Sequence, residues 1–272
     1  MIPFTKAHAC GNDFLIVTDE AAGTHDRAVL ARRLCQRHTG IGADGVEFFS
    51  STGPRSGRIR LHNADGSVAE ISGNGTRCVA AWMARTLGLK PGDKLVISTD
   101  AGLRHCRIDS LDTTEGFAVE VTTGMGVPTF RPHTLKLVDG AEVIGVEVST
   151  GNPHFVILVD NTAFTVAGKS WTTIGAEILT HRDFPHQTNV EFVRIVSENE
   201  IEIRVVERGV GPTSSSGTGT AASATAALAL RRCSSPLRVV APGGAQTIAW
   251  SGPGEEIFLT GPAALIARGE VW

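Results

Sequence analysis

Two stretches of this 272-residue chain repeat one another in both composition and context, and any fold must accommodate them twice. Ser72-Gly73-Asn74-Gly75-Thr76 returns as Ser216-Gly217-Thr218-Gly219-Thr220. Nine residues ahead of the serine stands Asn63 in the first copy and Glu207 in the second. Further upstream a Gly-Asn pair enters an apolar run in each copy, Gly11-Asn12 before "DFLIV" and Gly151-Asn152 before "PHFVILV". The shared order implies two copies of one unit related by a pseudo-two-fold axis, with a seam near Asp112 to Phe117. No period of solenoid length is present.

Short runs rich in Val, Ile and Phe, bounded by Gly, Asp or Asn, predict strands at "FLIVTD", "VEFFS", "RIRLHN", "KLVIST", "FAVEVTT", "HFVILVD", "VEFVRIV", "IEIRVVE", "LRVVAP" and "EIFLTG". Helices are expected at Asp26 to His38, with Thr24 or Asp26 as cap, at Arg77 to Leu87 ending on Gly88, and at Thr220 to Leu230. The last, "TAASATAALAL", is small and apolar nearly all round, as a helix enclosed by protein must be. Strands outnumber helices and do not alternate with them one for one, which argues α+β rather than a doubly wound parallel sheet.

A glycine-rich turn opening a helix offers an anion site, because the helix end carries unpaired N–H groups and partial positive charge. Two such ends on one carboxylate would leave Ser72 and Ser216 on opposite faces of the adjoining carbon, an arrangement suited to taking a proton from one face and returning it to the other. One copy alone would be no more than a serine N-cap; the repetition favours the chemical reading. Asn12, Asn63, Asn152 and Asn189 lie beside strand-like runs, where asparagine fits poorly, and can serve an amino-acid head group with Glu207 and Arg208. His154 is open to two readings, a strand-edge imidazole satisfied by the backbone or a group tuning a nearby acid or base.

Composition narrows the rest. A formal charge of −3 and no Arg- and aromatic-interleaved loops argue against nucleic acid. No apolar run approaches a membrane span, and the first residues lack a signal-peptide pattern, so a cytoplasmic protein is expected. Five scattered cysteines without a C-x-x-C pair suggest neither disulfide framework nor zinc site; Cys10 and Cys78 are read as packing. "GIGADG" matches a dinucleotide pattern but follows a helix and precedes a strand, the reverse of the required order. No P-loop, H-E-x-x-H or G-x-S-x-G is present.

The strings "HACGNDFLIV", "GIGADGV", "NADGSVAEISGNGTRC", "TGNPHFVI", "TNVEFV", "ERGVGPT" and "SSGTGT", collinear over essentially the whole chain, resemble the diaminopimelate epimerase family. The resemblance implies two pseudo-symmetric α+β halves, each a curved, mainly antiparallel sheet around a central helix, with the active site in the cleft between them. It places residues 1–117 with a returning C-terminal strand, 263–272, in the first half and 118–262 in the second. It implies that Asn12, Asn63, Asn152, Asn189, Glu207 and Arg208 contact the substrate, that Gly73-Asn74 and Gly217-Thr218 bind its carboxylate, and that His154 with Glu207 tunes the acid and base. No metal, pyridoxal phosphate, nucleotide or other cofactor is implied. The expected partner is a small amino acid, with a homodimer compatible.

The departure falls on the chemistry. The family carries a cysteine ahead of each glycine loop, and this chain has Ser72 and Ser216. A thiol near pKa 8.5 ionises readily at a helix end, whereas a serine hydroxyl needs a neighbouring base. Three readings follow: an epimerase of LL- and meso-diaminopimelate using the two serines, a divergent member racemising or isomerising another amino or related acid, and a non-catalytic amino-acid-binding homologue. A hydrolase using Ser216 and His154 ranks behind all three.

Overall fold

The computed structural model describes residues 1–272. In chain order the elements are β1 (Ile2–Ala9), β2 (Asn12–Thr18), α1 (Asp19–Ala22), α2 (Arg27–Cys35), β3 (Gly45–Gly53), β4 (Ser56–Asn63), β5 (Val68–Ala69), α3 (Gly73–Leu87), β6 (Lys94–Thr99), β7 (Gly102–Asp112) and β8 (Phe117–Gly124). There follow β9 (Thr129–Lys136), β10 (Glu142–Ser149), β11 (Pro153–Val159), α4 (Trp171–Leu179), β12 (Asn189–Ser197), β13 (Glu200–Glu207), β14 (Gly211–Thr213), α5 (Gly217–Ala229), β15 (Leu237–Ala241), β16 (Gly244–Ala249) and β17 (Phe258–Val271). The chain is α+β and divides into two compact units, Met1–Gly124 with Thr260–Trp272, and Met125–Leu259. The division falls after β8, because β8 is bonded along its length to β7; the turn at Asp112 to Phe117, where the sequence suggests a seam, is the hairpin joining them.

In the first unit β1 pairs with β2, β3 with β4, β4 with the short β5, β6 with β7 and β7 with β8, all antiparallel, while β2–β3 and β4–β6 are parallel. β17 pairs with both β8 and β1, which closes the sheet on itself. Parallel neighbours need a long crossover, and here helices supply it: α2 carries the chain from β2 to β3 and α3 from β4 to β6. One core cluster gathers around α3, with Phe49, Leu61, Leu95 and Ile108; another lies under α2, with Val46, Phe48, Leu30 and Leu34. β3 is therefore covered on both faces.

The second unit repeats the pairing. β9–β10, β10–β11, β12–β13, β13–β14 and β15–β16 are antiparallel, and β11–β12 and β13–β15 parallel, with α4 and α5 as the crossovers. Its cores gather around α5, with Val193, Ile203, Val205 and Leu259, and around α4, with Phe155, Val190 and Phe192. α5 is buried from Gly217 to Ala227, as its small side chains allow strands to approach from every side. Asp26 caps α2, its side chain accepting from Val29 N, and α3 stops at Gly88 in the left-handed conformation, φ 63°. α1, α4 and the strands β1, β5, β7, β9, β10, β14 and β16 are additional to those expected from sequence. No helix is long and apolar enough to cross a membrane.

Candidate active site

Both glycine loops are helix starts, and the helices begin earlier than the sequence suggests, at Gly73 rather than Arg77 and at Gly217 rather than Thr220. Ser72 and Ser216 are N-caps in fact: Ser72 Oγ accepts from Gly75 N at 3.0 Å and Ser216 Oγ from Gly219 N at 3.2 Å. This use of the oxygen as acceptor leaves each hydroxyl proton to be donated elsewhere. The cap is thus how the fold fixes the serine at the helix end where an anion is favoured.

Around the first loop, Asn74 Nδ2 donates to Asn12 Oδ1 at 3.1 Å, and Asn12 Nδ2 donates to Asp44 Oδ2 at 2.6 Å. The fully buried Arg77 donates to Asn74 Oδ1 at 2.7 Å and to Gly73 O at 3.3 Å, so its guanidinium braces the loop from inside. Burial pushes Arg77 below its ordinary value, opposed by the thiols of Cys10, Cys78 and Cys106 around it. All five cysteines are free and buried, and burial raises the Cys78 thiol steeply. Asn63, at the end of β4, donates to Ser67 Oγ at 3.0 Å.

In the second unit a chain of contacts reaches the serine. His154 Nδ1 lies 2.8 Å from Glu191 Oε1, and its Nε2 lies 2.9 Å from Asn152 Oδ1. Asn152 Nδ2 donates to Thr218 Oγ1 at 3.3 Å, and Thr218 Oγ1 stands 3.5 Å from Ser216 Oγ. The histidine and Glu191 side chains are completely buried, and both ring nitrogens are met by side chains rather than backbone. Asn189 Nδ2 donates to Pro153 O at 3.0 Å and its Oδ1 accepts from Arg208 N at 2.9 Å, fixing the residue after Glu207 at the end of β13.

The structure therefore joins Asn12 with Asn74 in one unit, and His154, Asn152, Thr218 and Ser216, with Asn189 and Arg208, in the other. It also adds two residues absent from the sequence expectations, Glu47 on β3 and Glu191 on β12. Both are wholly buried and stand at equal sequence distance ahead of their serine. A Cβ built on Gly75 would collide with Glu47 Oε1, and one on Gly219 would lie 2.8 Å from Glu191 Oε1, so each loop glycine is where a glutamate presses against the backbone. Burial pushes Glu47 up to about 8, and raises Glu191 against the opposing pull of His154. The repeated "VEF" of "GVEFF" and "NVEFV" is the signal that carries them.

Residues 4–130 and 146–266 match the family model described as diaminopimelate epimerase. The chain is 36% identical to the diaminopimelate epimerase of Teredinibacter turnerae and 36% to that of Moorella thermoacetica, covering in each case 98% of both chains. Among solved structures it is similar to a phenazine biosynthesis protein of the PhzF family from Bacillus anthracis, with TM-score 0.72, 16% identity, and 100% and 99% of the two chains covered. It is also similar to a hydroxyproline epimerase from Agrobacterium vitis, with TM-score 0.72, 16% identity, and 99% and 90% covered. These structures share the fold. With the family match spanning both repeated loops and close relatives spanning nearly the whole length, the chain belongs to the diaminopimelate epimerase family of amino-acid epimerases.

Proposed function

We propose that the chain interconverts LL- and meso-diaminopimelate by removing and returning the α-proton, without a cofactor. The observation that supports this is the duplicated site: each unit presents a serine hydroxyl at a helix N-terminus, flanked by asparagine and backed by a buried glutamate. In this reading the Gly73-Asn74 and Gly217-Thr218 turns hold the α-carboxylate, which lowers the barrier to a carbanion on the neighbouring carbon. Asn12, Asn63, Asn152, Asn189, Glu207 and Arg208 bind and orient the head group, Ser72 and Ser216 exchange protons with the α-carbon, and His154 with Glu207 tunes them.

A second reading keeps this chemistry but moves it to another amino or related acid. Gly45 favours it: β3 pairs Gly45 with Phe14 where β12 pairs Asn189 with His154, so the first unit lacks the polar side chain of the second. A Cβ there would meet His62 O and Leu61 Cδ1, each at 2.9 Å, so the backbone leaves no room for one. The test is incubation with LL-diaminopimelate and a panel of amino acids in deuterium oxide. Deuterium at the α-carbon with formation of the meso isomer supports the first reading, and exchange confined to other acids supports the second. Binding with no exchange at all would sink both and leave an amino-acid-binding protein.

A further inference from the structure

Glu47 is an anomaly that the family chemistry leaves unused. Its side chain is completely buried, and neither carboxyl oxygen has a hydrogen-bond partner. An unpaired polar group in such a place costs on the order of 1–3 kcal/mol or more, which a leucine of similar size would avoid. The register partners of Glu47 are apolar, Ile16 on β2 and Leu61 on β4. Of the titratable groups on α3, Cys78 feels its charge, and that thiol stays protonated. On the other side the carboxyl group reaches the serine loop. The position a Cβ would take on Gly75 is 3.0 Å from Glu47 Cδ and 3.3 Å from Ser72 Cβ, so carboxyl and serine converge over one α-carbon.

The second unit shows the same convergence. The Cβ position of Gly219 is 2.8 Å from Glu191 Oε1 and 3.3 Å from Ser216 Oγ. Two buried glutamates in matched strands, each beside a serine, are hard to explain by packing, since packing would be better served by carbon. A serine hydroxyl exchanges protons with a carbon acid only if a second group takes up or supplies the proton behind it.

Glu47 and Ser72 are not hydrogen-bonded to each other in this structure, but bonds of this kind tighten when substrate is bound, and we infer that Glu47 is then the proton-holding partner of Ser72: as Ser72 Oγ gives its proton to the substrate α-carbanion, the Glu47 carboxyl closes on Ser72 Oγ and gives it its own, and both transfers run backwards in the reverse reaction. The balance closes. The Ser72 O–H bond breaks as the α-C–H bond forms, the Glu47 O–H bond breaks as a new Ser72 O–H bond forms, and the negative charge passes from carbon to the Glu47 carboxylate. Glu47 acts through Ser72 and so is a positioning residue. The inference rests on the reading of Ser72 as a group working at the α-carbon.

The experiment compares Glu47→Gln in two backgrounds, the natural chain and Ser72→Cys, by deuterium exchange into the amino acid that the wild type turns over. A thiol ionises without a partner. Glu47→Gln is expected to slow exchange by at least about a hundredfold beside the serine and to leave it nearly unchanged in the Ser72→Cys background, with thermal melts showing both variants folded. Equal loss in both backgrounds, or no loss in either, overturns the inference while leaving the epimerase reading intact. No exchange by the wild type with any amino acid overturns both. An activity-free readout accompanies this: the infrared band of a protonated carboxyl group should persist at neutral pH, vanish near pH 8 and be missing from Glu47→Gln. A Glu47 already ionised at neutral pH also overturns the proton-holding role.

Discussion

The two serine loops are built to one plan but wired differently. Behind Ser216 the buried glutamate is tied to His154, and the histidine through Asn152 and Thr218 to the serine itself. Behind Ser72 the matched position on β2 is Phe14, Glu47 is left without a polar partner, and the bracing passes instead from Arg77 through Asn74 to Asn12 and Asp44. The lesson is that duplication conserved the frame and let each copy solve its own electrostatics. A carboxyl with no partner keeps its proton, while one beside an imidazole is stabilised when charged. Two units of one fold thus set their buried acids in different surroundings, one unpaired and one beside an imidazole, next to identical serines.

That contrast can be broken by experiment. The largest effect is expected from the serines: Ser72→Ala and Ser216→Ala should each slow α-proton exchange by about 10²–10⁴-fold, and an alanine at either site that leaves the rate unchanged shows its unit to be silent. Next in size is the pH response of stability. Unfolded, Glu47 ionises near its ordinary 4.5; folded, it holds its proton to about 8. Unfolding therefore releases a proton between these values, so stability is fully present below about 4.5, falls by at most roughly 1.4 kcal/mol per pH unit as pH rises toward 8, and is level beyond. Glu47→Gln removes the slope, so its melting temperature should gain on the wild type from pH 5 to pH 8. Glu191 is raised in the same direction, burial outweighing the pull of His154, so Glu191→Gln should likewise gain on the wild type as pH rises.

Smaller effects sharpen the comparison. His154→Phe, which copies the first unit into the second, leaves Glu191 Oε1 without its bond and should destabilise by about 1–3 kcal/mol. That is several degrees in a melt of a chain this size. Phe14→Leu should lose less. Gly75→Ala should destabilise by about 1–3 kcal/mol through overpacking, and Gly219→Ala by less, since its glutamate stands further from the new methyl group. Equal losses at the two glycines would mean that the Glu47 side chain swings clear without penalty.

Much of this was legible in the chain. The loops announced themselves because a helix end needs glycine and serine in fixed places, and the same need arises twice. α5 is readable from small residues without an apolar stripe and α3 from its stop at Gly88, though their first turns are not, since a Gly-x-Gly string reads as loop until a cap is seen to hold it. β9 is hard to read for lack of apolar density in "TFRPHTLK", with Pro132 inside it, and β10 because Gly145 interrupts its apolar run "EVIGVEVS". Glu47 and Glu191 are hard to read for a different reason. In an alternating strand a charged residue between two apolar ones reads as facing water, but β3 lies between the α2 and α3 cores and β12 between those of α4 and α5, so neither strand has a wet face.

The pairing of β17 with β1, from Ile2 opposite Val271 to His8 opposite Ala264, has a bearing on synthesis. β2 follows β1 directly, but β17, the other neighbour of β1 and the partner of β8, emerges only after the whole intervening unit has been made. At ordinary elongation rates that is a wait on the order of ten seconds, during which the nascent unit carries two open edges able to recruit foreign strands. A deletion of the final residues would make that temporary exposure permanent.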